Sequence, residues 1–314
     1  MNVLILSCGT RCKLVSYYKS EPGWDRVVCS DCSEEAPALF FADEWYLVPR
    51  FREDGYWDAI WEICEKEQID LVVPLQEEEL LLVSKNKAEF EKRGIFVAVS
   101  DYEKVSLCKD KYAVNNWLIQ NDVPAIPTFL ATEFVKTFDG KEPVFVKPRY
   151  GAGSVDSICV RSKSFLEALL NEWEEEMVVQ PLVIGSEYGV DVYVDAISGK
   201  VVSCFCKKKL RMRAGETEKS ISVHNQDLES LIIKTVTSLG LIGPVDVDAF
   251  EWNGKFYVLE VNPRFGGGYP HAWNCGVSFP KYLLENARGN SANNCPADYA
   301  EGIMALKYSE VFVK

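Results

Sequence analysis

Through the first hundred residues, short apolar runs alternate with amphipathic stretches. Val3 to Leu6, Arg26 to Cys29, Leu71 to Leu75 and Ile95 to Val99 have the length and texture of strands buried on both faces. Between them, Tyr56 to Gln68 puts Trp57, Ile60, Trp61 and Cys64 on one helical face. Glu77 to Arg93 is long enough for a crossover helix, stopped by Gly94. The pattern predicts an open parallel sheet flanked by helices over residues 1–100. Ser7-Cys8-Gly9-Thr10-Arg11 then lies at the carboxyl end of the first strand, where such sheets bind ligands. It lacks the full Gly-x-Gly-x-x-Gly fingerprint, so no dinucleotide site is expected.

A second region, 101–314, begins where Ser100 or Asp101 can cap a helix running to about Gln120, ended by Asn121-Asp122-Val123-Pro124. From Glu142 onward the pattern is one of strands and hairpin turns with two helices, Phe165 to Trp173 and Asp227 to Leu239. The fold expected is α/β: an amino-terminal open parallel-sheet domain followed by an α+β region.

Composition narrows the function classes. A net charge of -13 opposes binding of a phosphate backbone, so nucleic acid is not an expected partner. No apolar run approaches the ~20 residues that span a bilayer, and the reading is cytoplasmic, with no membrane partner. The eleven cysteines sit mostly in apolar stretches, as small hydrophobes do. Cys29 and Cys32 have Cys-x-x-Cys spacing, but no second pair completes a zinc site and no chemistry is assigned to them.

Three features of the second region carry candidate chemistry. Val144-Phe145-Val146-Lys147-Pro148 is an apolar strand ending in a lysine, followed by Arg149-Tyr150-Gly151-Ala152-Gly153-Ser154. Small residues let backbone amides approach phosphate oxygens, and the lysine supplies a point charge. A glycine hairpin beside a surface lysine would read the same way. Next, Met177 to Val183 leads through Ile184-Gly185-Ser186 to Glu187, which suits an adenine edge and an acid for ribose hydroxyls. Finally, Asp246-Val247-Asp248 precedes Asn253-Gly254 and Glu260-Val261-Asn262-Pro263-Arg264. Glu260 and Asn262 are two apart on a strand, hence on one face, and both offer oxygens to a hard dication.

In that order, and above all in Leu259-Glu260-Val261-Asn262-Pro263-Arg264, the sequence resembles the ATP-grasp superfamily, in the branch of biotin carboxylase and the carbamoyl phosphate synthase large subunit. The resemblance covers roughly 105–285. It implies a pre-ATP-grasp domain and then a two-lobed grasp with a small mobile nucleotide-binding lobe at about 142–183. It implies that Lys111 and Lys147 hold ATP phosphates, that Gly151, Gly153 and Ser154 belong to a loop closing over them, and that Gln180, Pro181, Leu182 and Val183 form the adenine hinge. Glu187 takes the ribose, Asp248, Glu260 and Asn262 hold magnesium, with manganese able to replace it, and Arg264 steadies the reacting phosphate.

The implied reaction is ATP- and magnesium-dependent joining of a carboxylate to an amine through an acyl phosphate, with an amino acid or similar small molecule as substrate. Carbamoyl phosphate synthase-like phosphorylation of carbamate or bicarbonate is an alternative, and a non-catalytic nucleotide-binding regulator a third. Lys147, Arg213 and Arg264 are the expected catalytic groups. Arg211 and Arg213, two apart, suit either a substrate anion or a solvated edge strand. Arg11, Glu78 and Gly266-Gly267-Gly268 are candidates for the substrate pocket, and a homodimer is compatible with the sequence.

The metal assignment demands a particular hairpin. A two-residue Asn253-Gly254 turn would place Asp248 opposite Leu259 and on the wrong face for Glu260. The expectation is therefore an odd, three-residue loop, Trp252 to Gly254, with positive φ at Gly254, which pairs Asp246 with Glu260.

Overall fold

The computed structural model describes every residue except 152, 154, 174–175, 214, 293–297 and 314. Ser154 of the glycine segment thus lies outside the described residues. Three sheets follow one another along the chain. The first is parallel, in the order β3-β2-β1-β4, from β1 (Asn2–Leu6), β2 (Arg26–Asp31), β3 (Glu44–Leu47) and β4 (Leu71–Pro74). The second holds β5 (Phe129–Leu130), β6 (Val144–Pro148), β7 (Ile158–Val160) and β8 (Met177–Pro181), in the order β5-β8-β6-β7. The third is antiparallel: β9 (Ser186–Val194), β10 (Val201–Arg213), β11 (Glu216–Ser222), β12 (Gly243–Trp252), β13 (Lys255–Asn262) and β14 (Met304–Leu306), in the order β13-β12-β9-β10-β11-β14.

The helices are α1 (Cys12–Ser20), α2 (Tyr56–Lys66), α3 (Glu77–Lys85), α4 (Lys87–Lys92), α5 (Tyr102–Lys109), α6 (Lys111–Gln120), α7 (Ala131–Thr137), α8 (Lys163–Glu172), α9 (Gln226–Leu239), α10 (Tyr269–Asn274) and α11 (Phe279–Ala287). Among the described residues no helix is long and apolar enough to cross a membrane.

Several elements differ from expectation for local reasons. The crossover helix divides at Asn86, whose side-chain amide turns back to donate to the Leu82 carbonyl. The helix expected from residue 101 to 120 divides at Asp110, whose carboxylate accepts from the amides of Tyr112 and Ala113 and so starts α6 afresh. Ile95 to Val99 is no full strand: Phe96 alone makes a parallel bridge, to Leu71. β3 escaped notice because half of it, Trp45 and Leu47, faces solvent.

The third sheet has two opposite faces. Val190, Val192, Cys206, Val245, Val247, Val258 and Val261 point one way, into a core with α6 and α9. The other face carries Lys207 and Lys209 from β10, Glu187, Gly189 and Asp191 from β9, Asp246 and Asp248 from β12, and Glu260 and Asn262 from β13. Gly189 makes this crowding feasible, since a Cβ there would sit 3.1 Å from Lys209 and 3.2 Å from Lys207.

The β12–β13 hairpin corrects the expected three-residue loop. The turn has two residues, Asn253 at φ 51 and Gly254 at φ 72, and Trp252 pairs with Lys255. Pairing proceeds to Ala249 with Val258, then skips Leu259, so that Asp248 faces Glu260 and Asp246 faces Asn262. A bulge at Leu259 shifts the register that the turn alone would have given. Tertiary contacts hold it: Asn115 donates to the Leu259 carbonyl at 3.3 Å, and Val258 bridges to Ala125. Positive φ at Gly254 and a shared face for the four polar residues are found, by this other route.

Candidate active site

A cavity of about 1000 Å³ separates the second and third sheets. Its walls include Phe145, Leu182 and Val183 on one side and Phe250 and Leu259 on the other, with Lys111, Lys147, Glu187, Asp248 and Glu260 reaching in. Lys147 stands at the end of β6. Burial lowers its pKa first and the nearby Lys111 adds to this, against the pull of Glu260, Asp248 and Glu187. Lys111, in the first turn of α6, donates to the Gly151 carbonyl and lies 3.9 Å from Glu260. Gly151 and Gly153 line both this cavity and its neighbour, at φ 99 and 75, conformations that favour glycine. Gln180 turns its side chain away to donate to Thr128 at 2.9 Å, leaving the Pro181 to Val183 segment at the cavity.

Lys209 is one of the residues that sequence reasoning missed, although it stands in a basic run, Lys207 to Arg213. It pairs with Glu187 at 2.8 Å and Asp248 at 2.6 Å. Burial opposes its charge, but Asp248 and Glu187 outweigh burial and raise its pKa. The signal lay in alternation, since Lys207, Lys209, Arg211 and Arg213 are each two apart in an extended run. Lys207 forms a fully buried pair with Asp191, whose pKa burial raises. Arg213 is not brought into the lysine cluster: it sits at the cavity rim, 74% exposed, 3.4 Å from Glu218, which Arg211 also reaches at 2.9 Å.

A second cavity of about 420 Å³ lies on the far side of Asp248 and Glu260, between the first and third sheets. Arg264 crosses it to donate to Glu77 at 2.8 Å and comes within 3.4 Å of the Asn262 amide oxygen. Arg11 and Glu216 approach to 3.5 Å. Glu78, at the border of the two cavities, is held by Arg52 at 2.6 Å and by Lys109. Gly267 and Gly268 line the second cavity, and Gly266 packs behind Asp246. A Cβ at Gly266 would lie 2.5 Å from Asp246, at Gly267 3.1 Å from Arg11 and Glu216, and at Gly268 2.8 Å from Lys207. Burial, then the charges of Asp248 and Asp191, push the Asp246 carboxyl up to about 7.

Among the described residues no three His, Cys, Asp or Glu side chains gather as a metal set. The metal reading rests instead on two carboxylates and an amide oxygen. Asp248 and Glu260 are directly opposed, Asn262 follows on the same face, and each of the three oxygens lies within 4 Å of a cationic side chain: Lys209 at 2.6, Lys111 at 3.9 and Arg264 at 3.4 Å. The donor oxygens are of the kind a hard dication takes, and an ion bound there would replace Lys209 and Lys111 as the counter-charge of Asp248 and Glu260.

Two lobes on either side of a lysine-lined cavity, with opposed carboxylates on paired floor strands, define a nucleotide-dependent grasp architecture. The comparisons agree: residues 108–268 match the family described as ATP-grasp domain, and 3–98 match a PylC-like N-terminal domain. The chain belongs to the ATP-grasp family. Among curated relatives, the carbamoyl phosphate synthase large chain of Lachnoclostridium phytofermentans is 26% identical over 80% of this chain and 25% of its own length. The arginine-specific large chain of Geobacillus stearothermophilus is 21% identical over 91% of this chain and 28% of that protein. The chain thus spans about a quarter of the curated relatives it matches. In three dimensions it is similar to the biotin carboxylase domain of Hydrogenobacter thermophilus 2-oxoglutarate carboxylase (TM-score 0.75, 16% identity, 96% of this chain and 73% of that one). Similar too is the L-amino acid ligase of Bacillus licheniformis (TM-score 0.70, 18% identity, 91% and 73%).

Proposed function

We propose that the chain is an ATP- and magnesium-dependent ligase that activates an amino acid or similar small carboxylate as an acyl phosphate and joins it to an amine. The observation carrying this reading is the placement of Asp248 and Glu260, directly opposed and exposed to both cavities. ATP takes the larger cavity, its adenine against the Pro181 to Val183 backbone and its ribose near Glu187. Lys111 and Lys147 hold the phosphates. The acceptor takes the smaller cavity, where Arg264 orients its carboxylate and Arg11, Glu216 and Asp246 read its other charges.

A carboxylate oxygen attacks the γ-phosphorus, an O–P bond forms, and the β,γ-bridging P–O bond breaks to leave ADP. An amine nitrogen then attacks the acyl carbon, the C–O bond to phosphate breaks, and the amine proton departs. Asp248, Glu260 and Asn262 would hold magnesium, which supplies neutralisation of phosphate charge. The chain's own work is positioning and electrostatics, with no protein nucleophile.

ADP and phosphate release with ATP, magnesium and paired amino acids tests this. Release dependent on both a carboxylate and an amine supports it; release with bicarbonate and ammonia alone would favour the carbamoyl phosphate synthase-like alternative, which the curated relatives suggest. Turnover with neither, despite tight ATP binding, would leave the regulatory alternative.

A further inference from the structure

The two phosphate-directed lysines come from different lobes, Lys111 from the start of α6 and Lys147 from the end of β6. Two like charges with one ligand between them require a fixed spacing, and the lobe carrying Lys147 has a separate small core of its own. One residue joins these frames. Arg149, two residues past Lys147, donates from Nε to Asp110 Oδ1 at 2.8 Å and from its terminal nitrogen to Oδ2. Its other terminal nitrogen donates to Glu176 at 2.8 Å, at the foot of β8. The guanidinium sits 5.3 Å from the Tyr112 ring and 5.4 Å from the Tyr150 ring, and the Tyr150 hydroxyl donates to Asp110 at 3.2 Å. Backbone bonds follow the same path: Lys111 N–H to the Arg149 carbonyl at 3.2 Å, and Arg149 N–H to the Glu176 carbonyl at 2.8 Å.

Asp110 immediately precedes Lys111 and caps its helix. Fixing Arg149 on Asp110 therefore fixes both lysines within two residues of the joint. A planar, two-pronged group does this where a lysine would supply one flexible charge. Resting on the nucleotide reading above, we propose that Arg149 is a positioning residue whose clamp on Asp110 and Glu176 sets the spacing of Lys111 and Lys147 and thereby the grip on the polyphosphate. Arg149 lines neither cavity. A small shift at such a joint is enough to cost phosphate contacts, since misplacement by about 1 Å can cost up to about 100-fold.

The test is the ratio of ATP to adenosine affinity, measured by calorimetry on the full chain, the Arg149→Met and Arg149→Lys variants, and Glu176→Gln. Arg149→Met should lower that ratio about tenfold or more with adenosine affinity held within about twofold, Arg149→Lys should restore part of it, and Glu176→Gln should lower it by less. General damage to the lobe would weaken ATP and adenosine together, and that result overturns the proposal. So does an unchanged ratio in Arg149→Lys and Glu176→Gln, which remain decisive should Arg149→Met not fold. A parent chain that binds ATP no tighter than adenosine removes the nucleotide reading itself, a failure visible before any substitution is made.

Discussion

The cavity between the grasp lobes and the smaller one beneath the amino-terminal sheet share Asp248 and Glu260, with Glu78 and the glycine segment at their border, but the rest of their walls differ. The larger has apolar walls in Phe145, Leu182, Val183, Phe250 and Leu259, with charged side chains such as Lys111, Lys147 and Glu187 among them. The smaller is lined largely by arginines, lysines and carboxylates, with Gly267 and Gly268 beside them. An apolar slot can recognise a flat ring by shape and desolvation, whereas a charged chamber discriminates by the placement of opposite charges. The same acidic ladder thus borders one chamber suited to recognition by fit and one suited to recognition by charge.

The comparison breaks most sharply at the shared ladder. Glu260→Gln removes one opposed carboxylate and leaves the apolar walls alone. Acceptor-dependent phosphate release should fall by about 100-fold or more, while adenosine binds as before; retained turnover would take the ladder out of the chemistry. Next come Lys147→Ala and Lys111→Ala, each removing a full charge from the larger cavity. ATP affinity by calorimetry should drop roughly 10- to 100-fold, and unchanged affinity in both would remove the phosphate assignment.

Gly266→Ala acts on the other chamber. Its Cβ would stand 2.5 Å from Asp246, so the acceptor's KM should rise about tenfold while that for ATP stays put. A parallel rise in both would show that the chambers do not act separately. The smallest effect is on stability, away from both cavities. Glu79 is buried, accepts from Ser7 at 2.9 Å and Tyr56 at 2.6 Å, and has its carboxyl pushed up to about 7 by burial. It holds its proton more tightly folded than unfolded, where the pKa is about 4.3. Its presence therefore costs nothing below about pH 4, and stability declines as pH rises towards 7 and stays lower above. Glu79→Gln should melt a few degrees above the parent at pH 8 and level with it near pH 4 by scanning calorimetry. The reverse order would mean that the carboxylate is needed ionised.

Much of this arrangement is legible in the chain, because period-two spacing fixes faces without tertiary knowledge. Glu260 and Asn262 were placed on one face by spacing alone, and β1, β2 and β4 by apolar runs. The bulge was not legible. It depends on Asn115 and Ala125, more than a hundred residues upstream, which no local pattern of turn residues reports. Asp191 was missed because a charged residue between Val190 and Val192 reads as a flaw in a strand until its partner Lys207 is known. Asp110 and Arg149 were passed over for another reason. Asp110 falls inside the helix expected to run to Gln120 and Arg149 just past a strand end, and only their meeting across the lobes gives them a role.

The bulge at Leu259 also makes the hairpin modular. Because the frame is reset below the turn, the tip at Asn253-Gly254 and the four pairs beneath it are insulated from the carboxylate pair. Lengthening the arm by one residue on each strand would change its reach and leave Asp248 facing Glu260. Deleting the single residue Leu259 would remove the bulge and make the ladder continuous, with Asp248 still facing Glu260, at the loss of the carbonyl that Asn115 holds. For anyone grafting a tag or a reporter onto this protein, the tip at Asn253-Gly254 is the port that leaves the acid pair in register.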